Sequence, residues 1–89
     1  MKAIVTVVGK DRVGIIASVC VKLAEYNVNV LDITQTVLQD YFTMIMVVDV
    51  SACSVPVADL VVLLDNHGRD MGLSIRLQRE DIFDAMHRV

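Results

Sequence analysis

Tryptophan is absent, aromatics make up 4% of the chain, and there are one proline and two cysteines in 89 residues. Each shortage excludes something. Cys20 and Cys53 lie far apart inside apolar stretches, so they form neither a disulfide framework nor a metal-ligand spacing. Reduced thiols and a cytoplasmic setting are the expectation. Lysine and arginine total 8 against 11 acidic residues, a net charge of -3. A surface for nucleic acid or for an anionic membrane rewards a basic excess, so neither partner is expected. No apolar run approaches the ~18 residues of a membrane span. The run after Lys2 stops at Gly9, too short for a secretory signal. No linker or low-complexity segment interrupts the chain, which reads as a single domain over 1–89.

What is present is core. Hydrophobic residues are 55% of the chain, ample for one small globular domain. Residues 2–9 (KAIVTVVG) are rich in β-branched side chains and predict a strand. From Gly14 the period changes: Ile15, Ile16, Val19, Cys20, Leu23 and Ala24 share a helical face, with Ser18, Lys22 and Glu25 opposite. A long β-branched strand follows over roughly 28–38, a short turn at Gln39-Asp40, and a strand over 41–50. Ser54 is the expected N-cap of a second helix with Pro56 in its first turn. That helix ends near NHGRDMG. Residues 73–78 alternate strictly, and Ile82, Phe83 and Met86 fall on one side of a short terminal helix.

The order βαββαβ, with right-handed crossovers and a central hairpin, defines an α+β class, the ferredoxin-like sandwich. Its sheet has four antiparallel strands, with two helices on one face and a short C-terminal helix. In such a sheet the first and third strands are central. Both are apolar at both parities (Ile4, Val5, Val7, Val8; Met44 to Val48), so their second face also calls for cover, by the terminal helix or by a partner subunit.

The stretch VVGKDRVGII (7–16) poses the functional question, because Gly9 and Gly14 are spaced like the first glycines of a phosphate-binding loop. Such a loop needs Lys and then Ser or Thr after the second glycine. Ile15 and Ile16 stand there instead, so a nucleotide cradle fails. Arg12 lies within the loop, a poor match to the phosphate site of acylphosphatases. RNA-recognition domains of this topology need aromatic stacking residues on the first and third strands and a basic surface, and metal chaperones need Cys-x-x-Cys in the first loop. Neither pattern is present. His67 and His87 sit in polar settings near element ends, where solvated surface histidines are expected. No catalytic set, metal site or cofactor site emerges, so the chain reads as non-enzymatic.

KDRVGIIASVCVKLAEYNVNVLDI resembles the first half of an ACT domain, in which an acidic or Asn residue, Arg, Pro and Gly open a helix and an Asn-hydrophobic pair starts the second strand. Here these are Asp11, Arg12, Val13, Gly14 and Asn29-Val30. The likeness extends over nearly the whole chain. It is greatest to small free-standing prokaryotic ACT proteins, in GKDRVGI, in DITQTVLQDYFTMIM and in EDIFDAMHR. The resemblance implies a regulatory fold that dimerises side by side and binds an amino acid between subunits. Its contacts come from the first loop of one chain (Asp11, Gly14) and from Asn29 of the other. Elementary chemistry agrees. Free N–H groups at a helix start suit a carboxylate, Asp11 accepts from an ammonium group, and Asn29 both donates and accepts. Arg12 is the fourth expected ligand residue. Plainer roles stand beside these: Asp11 as a turn cap, Arg12 as a solvated charge, Gly14 as a packing position, Asn29 as a turn residue. The expected function is a non-enzymatic regulatory homodimer that binds a small amino acid or similar carboxylate metabolite. The alternative is an interaction module that docks on an enzyme or regulator and binds no metabolite.

Overall fold

The computed structural model describes residues 1–86. Its elements are β1 (Lys2–Lys10), α1 (Ile15–Glu25), β2 (Asn29–Leu38), β3 (Tyr41–Asp49), α2 (Val57–Met71), β4 (Ser74–Arg79) and α3 (Glu80–Met86). The strands form one antiparallel sheet in the order β2-β3-β1-β4. This is the ferredoxin-like architecture that the sequence pattern predicts.

β1 and β3 pair along their whole lengths, from Lys2 opposite Asp49 to Lys10 opposite Tyr41. Residues directly opposite share a face, so Ala3, Val5 and Val7 join Phe42, Met44, Met46 and Val48 on the inner face, where all are buried. β4 adds Ile75 and Leu77 beside Val7 and Val5. α1 presents Ile15, Val19 and Leu23 to this layer and α2 presents Leu60 and Leu64, each set spaced four residues apart on one helical stripe.

β2 carries the one irregularity in the ladders. The register shifts between Val30 and Asp32, leaving Leu31 as the extra residue of a bulge. The shift explains a spacing that strict alternation does not allow. Val30 faces Val48 and Ile33 faces Met46, so two apolar residues three apart both reach the inner face.

The outer face is covered in one corner. α3 follows β4 directly and packs against β1 and β4, with Phe83 half-buried and Ile4 buried at 7% exposure. Val8 and Ile45 remain exposed at 41% and 39%. The side chain of Met86, expected beside Phe83, lies outside the described residues, as does His87.

One expected cap is corrected. Pro56 is the N-cap of α2, which has no side-chain cap. Ser54 instead spends its backbone N–H on the Tyr26 carbonyl at 2.9 Å. Tying the loop after β3 to the end of α1 takes Ser54 away from the start of α2. At its other end α2 closes through Gly72, whose N–H reaches Arg69 O while Leu73 N–H reaches Gly68 O. Among the described residues no helix is long and apolar enough to cross a membrane.

Adjacent residues of β3 test this layering. Met46→Ala should cost about 2–5 kcal/mol of unfolding free energy in urea titrations. Ile45→Ala, on the exposed parity, should cost well under half as much.

Candidate functional site

β1 delivers the chain at Lys10 into a loop that is held on both sides. Asp11 N–H donates to the Asp40 carbonyl of the β2–β3 turn at 2.7 Å. The Arg12 guanidinium donates to the Met71 carbonyl at the end of α2. A cation at the C-terminus of a helix also meets the negative end of its dipole. Arg12 stays exposed, as the plainer reading expects, but it has a partner in the protein. It fastens the loop to α2.

The two glycines of the loop have different jobs. Gly14 adopts φ 92, in the left-handed region, and open space surrounds the position where a Cβ would stand. It is the N-cap of α1 and makes no side-chain cap. The first bond of the helix runs from Ser18 N to Gly14 O at 2.9 Å. The N–H groups of Ile15, Ile16 and Ala17 precede that bond and have no intrahelical acceptor. Gly9 serves packing: a Cβ there would meet Leu73 Cδ2 at 2.4 Å. The spacing that resembles a phosphate loop therefore has two unrelated causes.

Asp11, Arg12 and Gly14 border an open groove of about 520 Å³ between the first turn of α1 and the inner face of β2. Ile15, Ile16 and Ala17 form its helix side, with Gln35, Val37 and Phe42 on its sheet side. Asn29 is not there. It stands opposite Asp49, which is level with Lys2 at the far end of the sheet. The nine-residue length of β1 separates the two ends, roughly 27–30 Å. Asn29 borders a second hollow of about 290 Å³ with Asn27, Asp49 and Ser51. The four residues that the sequence singles out thus fall at two separate places within one chain.

Two features were missed from sequence. His67 is not a solvated histidine: its Nε2 lies 3.0 Å from Ser18 Oγ, which lies 2.9 Å from Met71 Sδ. A thioether only accepts, so the hydroxyl donates to sulfur and receives the ring N–H. The trio ties α1 to the last turn of α2, and no sequence pattern announces a contact spanning 49 residues. Gln35 is the other. Its inward direction was hidden by the bulge at Leu31. Among the described residues no group of three or more His, Cys, Asp or Glu is arranged to hold a metal ion.

The fold and this loop define an α+β module of ferredoxin-like topology. The chain belongs to the ACT domain family, whose model it matches over residues 2–78. It is 57% identical over 90 residues to a UPF0237 protein of Clostridium acetobutylicum, with all of both chains covered. To a UPF0237 protein of Bifidobacterium longum it is 52% identical over 88 residues, covering 99% of this chain and 98% of the relative. The solved ACT domain protein from Streptococcus pneumoniae superposes with a TM-score of 0.83 at 45% identity, covering 98% of both chains. Domains of this family are commonly regulatory and ligand-binding, which points away from catalysis.

Two measurements check these local assignments. Gly14→Ala should lower stability by roughly 1–2 kcal/mol in denaturant titrations, because an L-residue pays for the left-handed region. The second concerns the Asn29 end. The hydroxyl and backbone N–H of Ser51 hold the Asp49 carboxyl down to about 2. A folded-state value below the ordinary ~3.9 means the contribution is present above that pH and lost as pH falls towards 2. Melting temperatures stepped from pH 5 to pH 2 should fall less steeply for Asp49→Asn than for the parent.

Proposed function

We propose that this chain is a non-enzymatic regulatory module that binds a small amino acid, or a similar carboxylate metabolite, at the interface of a homodimer built on β2. The observation that carries the reading is the split site. Both half-sites lie beside the same sheet edge, at opposite ends of it. An antiparallel pairing of β2 with its copy, centred near Ile33 to Gln35, would bring Asn29 of one chain beside the loop of the other. A two-fold axis would then make two complete sites from four halves.

The surface of this flank supports the same reading. Among the described residues β2 has only β3 as a neighbour. Ile33 and Val37 on its inner face are exposed at 40% and 52%. Val13 before α1 and Val21 on it are exposed at 102% and 60%, as are Ala17 between them and Ala24 beyond. Small residues there would let two helices approach closely. In the completed site the free N–H groups of Ile15 to Ala17 would receive the ligand carboxylate. Asp11 would accept from its ammonium group, and Asn29 of the second chain would bond either end.

The alternative, docking on an enzyme or regulator without a metabolite, draws on a different surface. Val61 and Val62 of α2 are exposed at 39% and 57% beside Ile75 and Leu77 of β4. That patch is small and gives no reason for the split of Asn29 from the loop.

Light scattering at tens of micromolar should report a dimer, with a total buried area on the order of 1,200–2,000 Å². A panel of amino acids should raise the melting temperature by about 10 °C or more at a hundredfold over the dissociation constant. Magnesium ATP should not. Asn29→Ala should remove the shift and leave the dimer. A monomer, or an unshifted melt at millimolar amino acid, would defeat this reading in favour of the docking module.

A further inference from the structure

We infer that Val13 is a knob of the subunit contact, seated in the hollow at the Asn29 end of a second copy of this chain. This rests on the antiparallel pairing of β2 proposed above and names the contact that fixes its spacing. Val13 is exposed at 102%, so almost nothing among the described residues touches its side chain. A lone valine in water is ordinary on a loose segment. This one stands on a loop held on both sides, through Asp11 N–H on the Asp40 carbonyl and Arg12 on the Met71 carbonyl. An apolar group presented by a fixed backbone loses little freedom on docking, and such groups anchor interfaces when they enter a pocket.

The hollow of about 290 Å³ offers a matching seat. Ala24, Val28 and Ala52 give it an apolar lining, and the small side chains of two of them leave the room. Its polar groups are engaged with one another. Asn27 Nδ2 donates to the Ala52 carbonyl at 2.9 Å, and Ser51 N–H donates to the Asp49 carboxylate at 2.9 Å. A guest in this hollow is asked for apolar area more than for hydrogen bonds, and Asn29 stays available to the ligand.

The β2–β3 ladder sets the distance. Thr34 faces Ile45 at its middle, and Tyr41 and Asp49 each lie four residues from Ile45, in opposite directions. The loop is tied to Asp40, next to Tyr41, and the hollow opens at Asp49. A two-fold axis beside Thr34 therefore exchanges the two ends, bringing Val13 of each chain to the hollow of the other. In a two-fold contact residue i meets j while j meets i. One knob and one hollow per chain thus close the pair with neither left over.

The test is solution mass against concentration for the full chain, by sedimentation and light scattering. Val13→Asp sets a carboxylate against an apolar lining beside Asp49 and should weaken dimerisation about tenfold or more. Its circular dichroism should match the parent's, because exposed substitutions barely disturb a fold. Val13→Ile should keep the dimer. Ala52→Leu, at the opposite end of the chain's edge, fills the hollow and should weaken the dimer as Val13→Asp does. Val13→Cys combined with Ala52→Cys, in a chain whose Cys20 and Cys53 are replaced by serine, should form a disulfide-linked dimer under oxidised glutathione. Neither cysteine alone should do so. Parent-like dimerisation of both Val13→Asp and Ala52→Leu overturns the inference and leaves the dimer reading intact. So does a double-cysteine chain that is dimeric yet does not cross-link. A monomeric parent defeats the dimer reading, and this inference falls with it.

Discussion

Val5 and Val7 of β1 and Met44 and Met46 of β3 are wholly removed from water on the inner face of the central ladder, and the functional geometry hangs from that pair. Each fully buried side chain of this size contributes about 1.5–3 kcal/mol relative to exposure. A one-residue slip would turn all of them outward at once. The register from Lys2–Asp49 to Lys10–Tyr41 is therefore rigidly specified. It determines where the chain leaves the sheet, and so where the loop of Asp11 to Gly14 begins. It also sets the distance from that loop to Asn29, because β2 takes its register from β3.

The loop itself is short of ordinary caps and long on external ties. α1 starts without a side-chain cap, on a glycine that only the left-handed region accommodates. Fixing that start falls to the Asp40 carbonyl on one side and to α2 on the other. The α2 contacts, Arg12 with the Met71 carbonyl and Ser18 with His67 and Met71 Sδ, come from a single helical turn. Free N–H groups held in this way are preorganised, so an arriving anion has little ordering left to cost it. One of these ties directs Nη2 of Arg12 at a helix terminus.

Much of this was legible in the sequence, and the boundary is physical. Element order, the inner residues of β4, and the glycine-framed loop follow from periodicity and backbone permissiveness, which are local. Three things were not local. The bulge at Leu31 changes the parity of β2 midway, so Gln35 reads as either face until the register is known. Ser54 has the chemistry of a cap but is claimed by Tyr26, distant in sequence. His67 has a polar neighbourhood in sequence and a half-buried one in space, because Ser18 reaches it across the helix pair. The loop was singled out as a candidate from its residue types. That Asn29 stands a sheet-length away from it was not legible there.

The two edges of the sheet differ in a way that bears on the proposed pairing. β4 is six residues long and carries Arg76 and Arg79, with α3 packed on its outer side. Shortness, charge and cover are the devices that stop a strand from pairing with another chain. β2 has ten residues, a bulge near one end and Asp32 as its lone charge. Over Ile33 to Val37 it is a straight, uncharged edge with apolar residues turned inward. A chain that guards one edge and leaves the other open fits the proposed closed two-fold association, since pairing through both edges would run on without end. Asn29 and the loop, stranded at opposite ends of that unguarded edge, are the halves such a pairing would join.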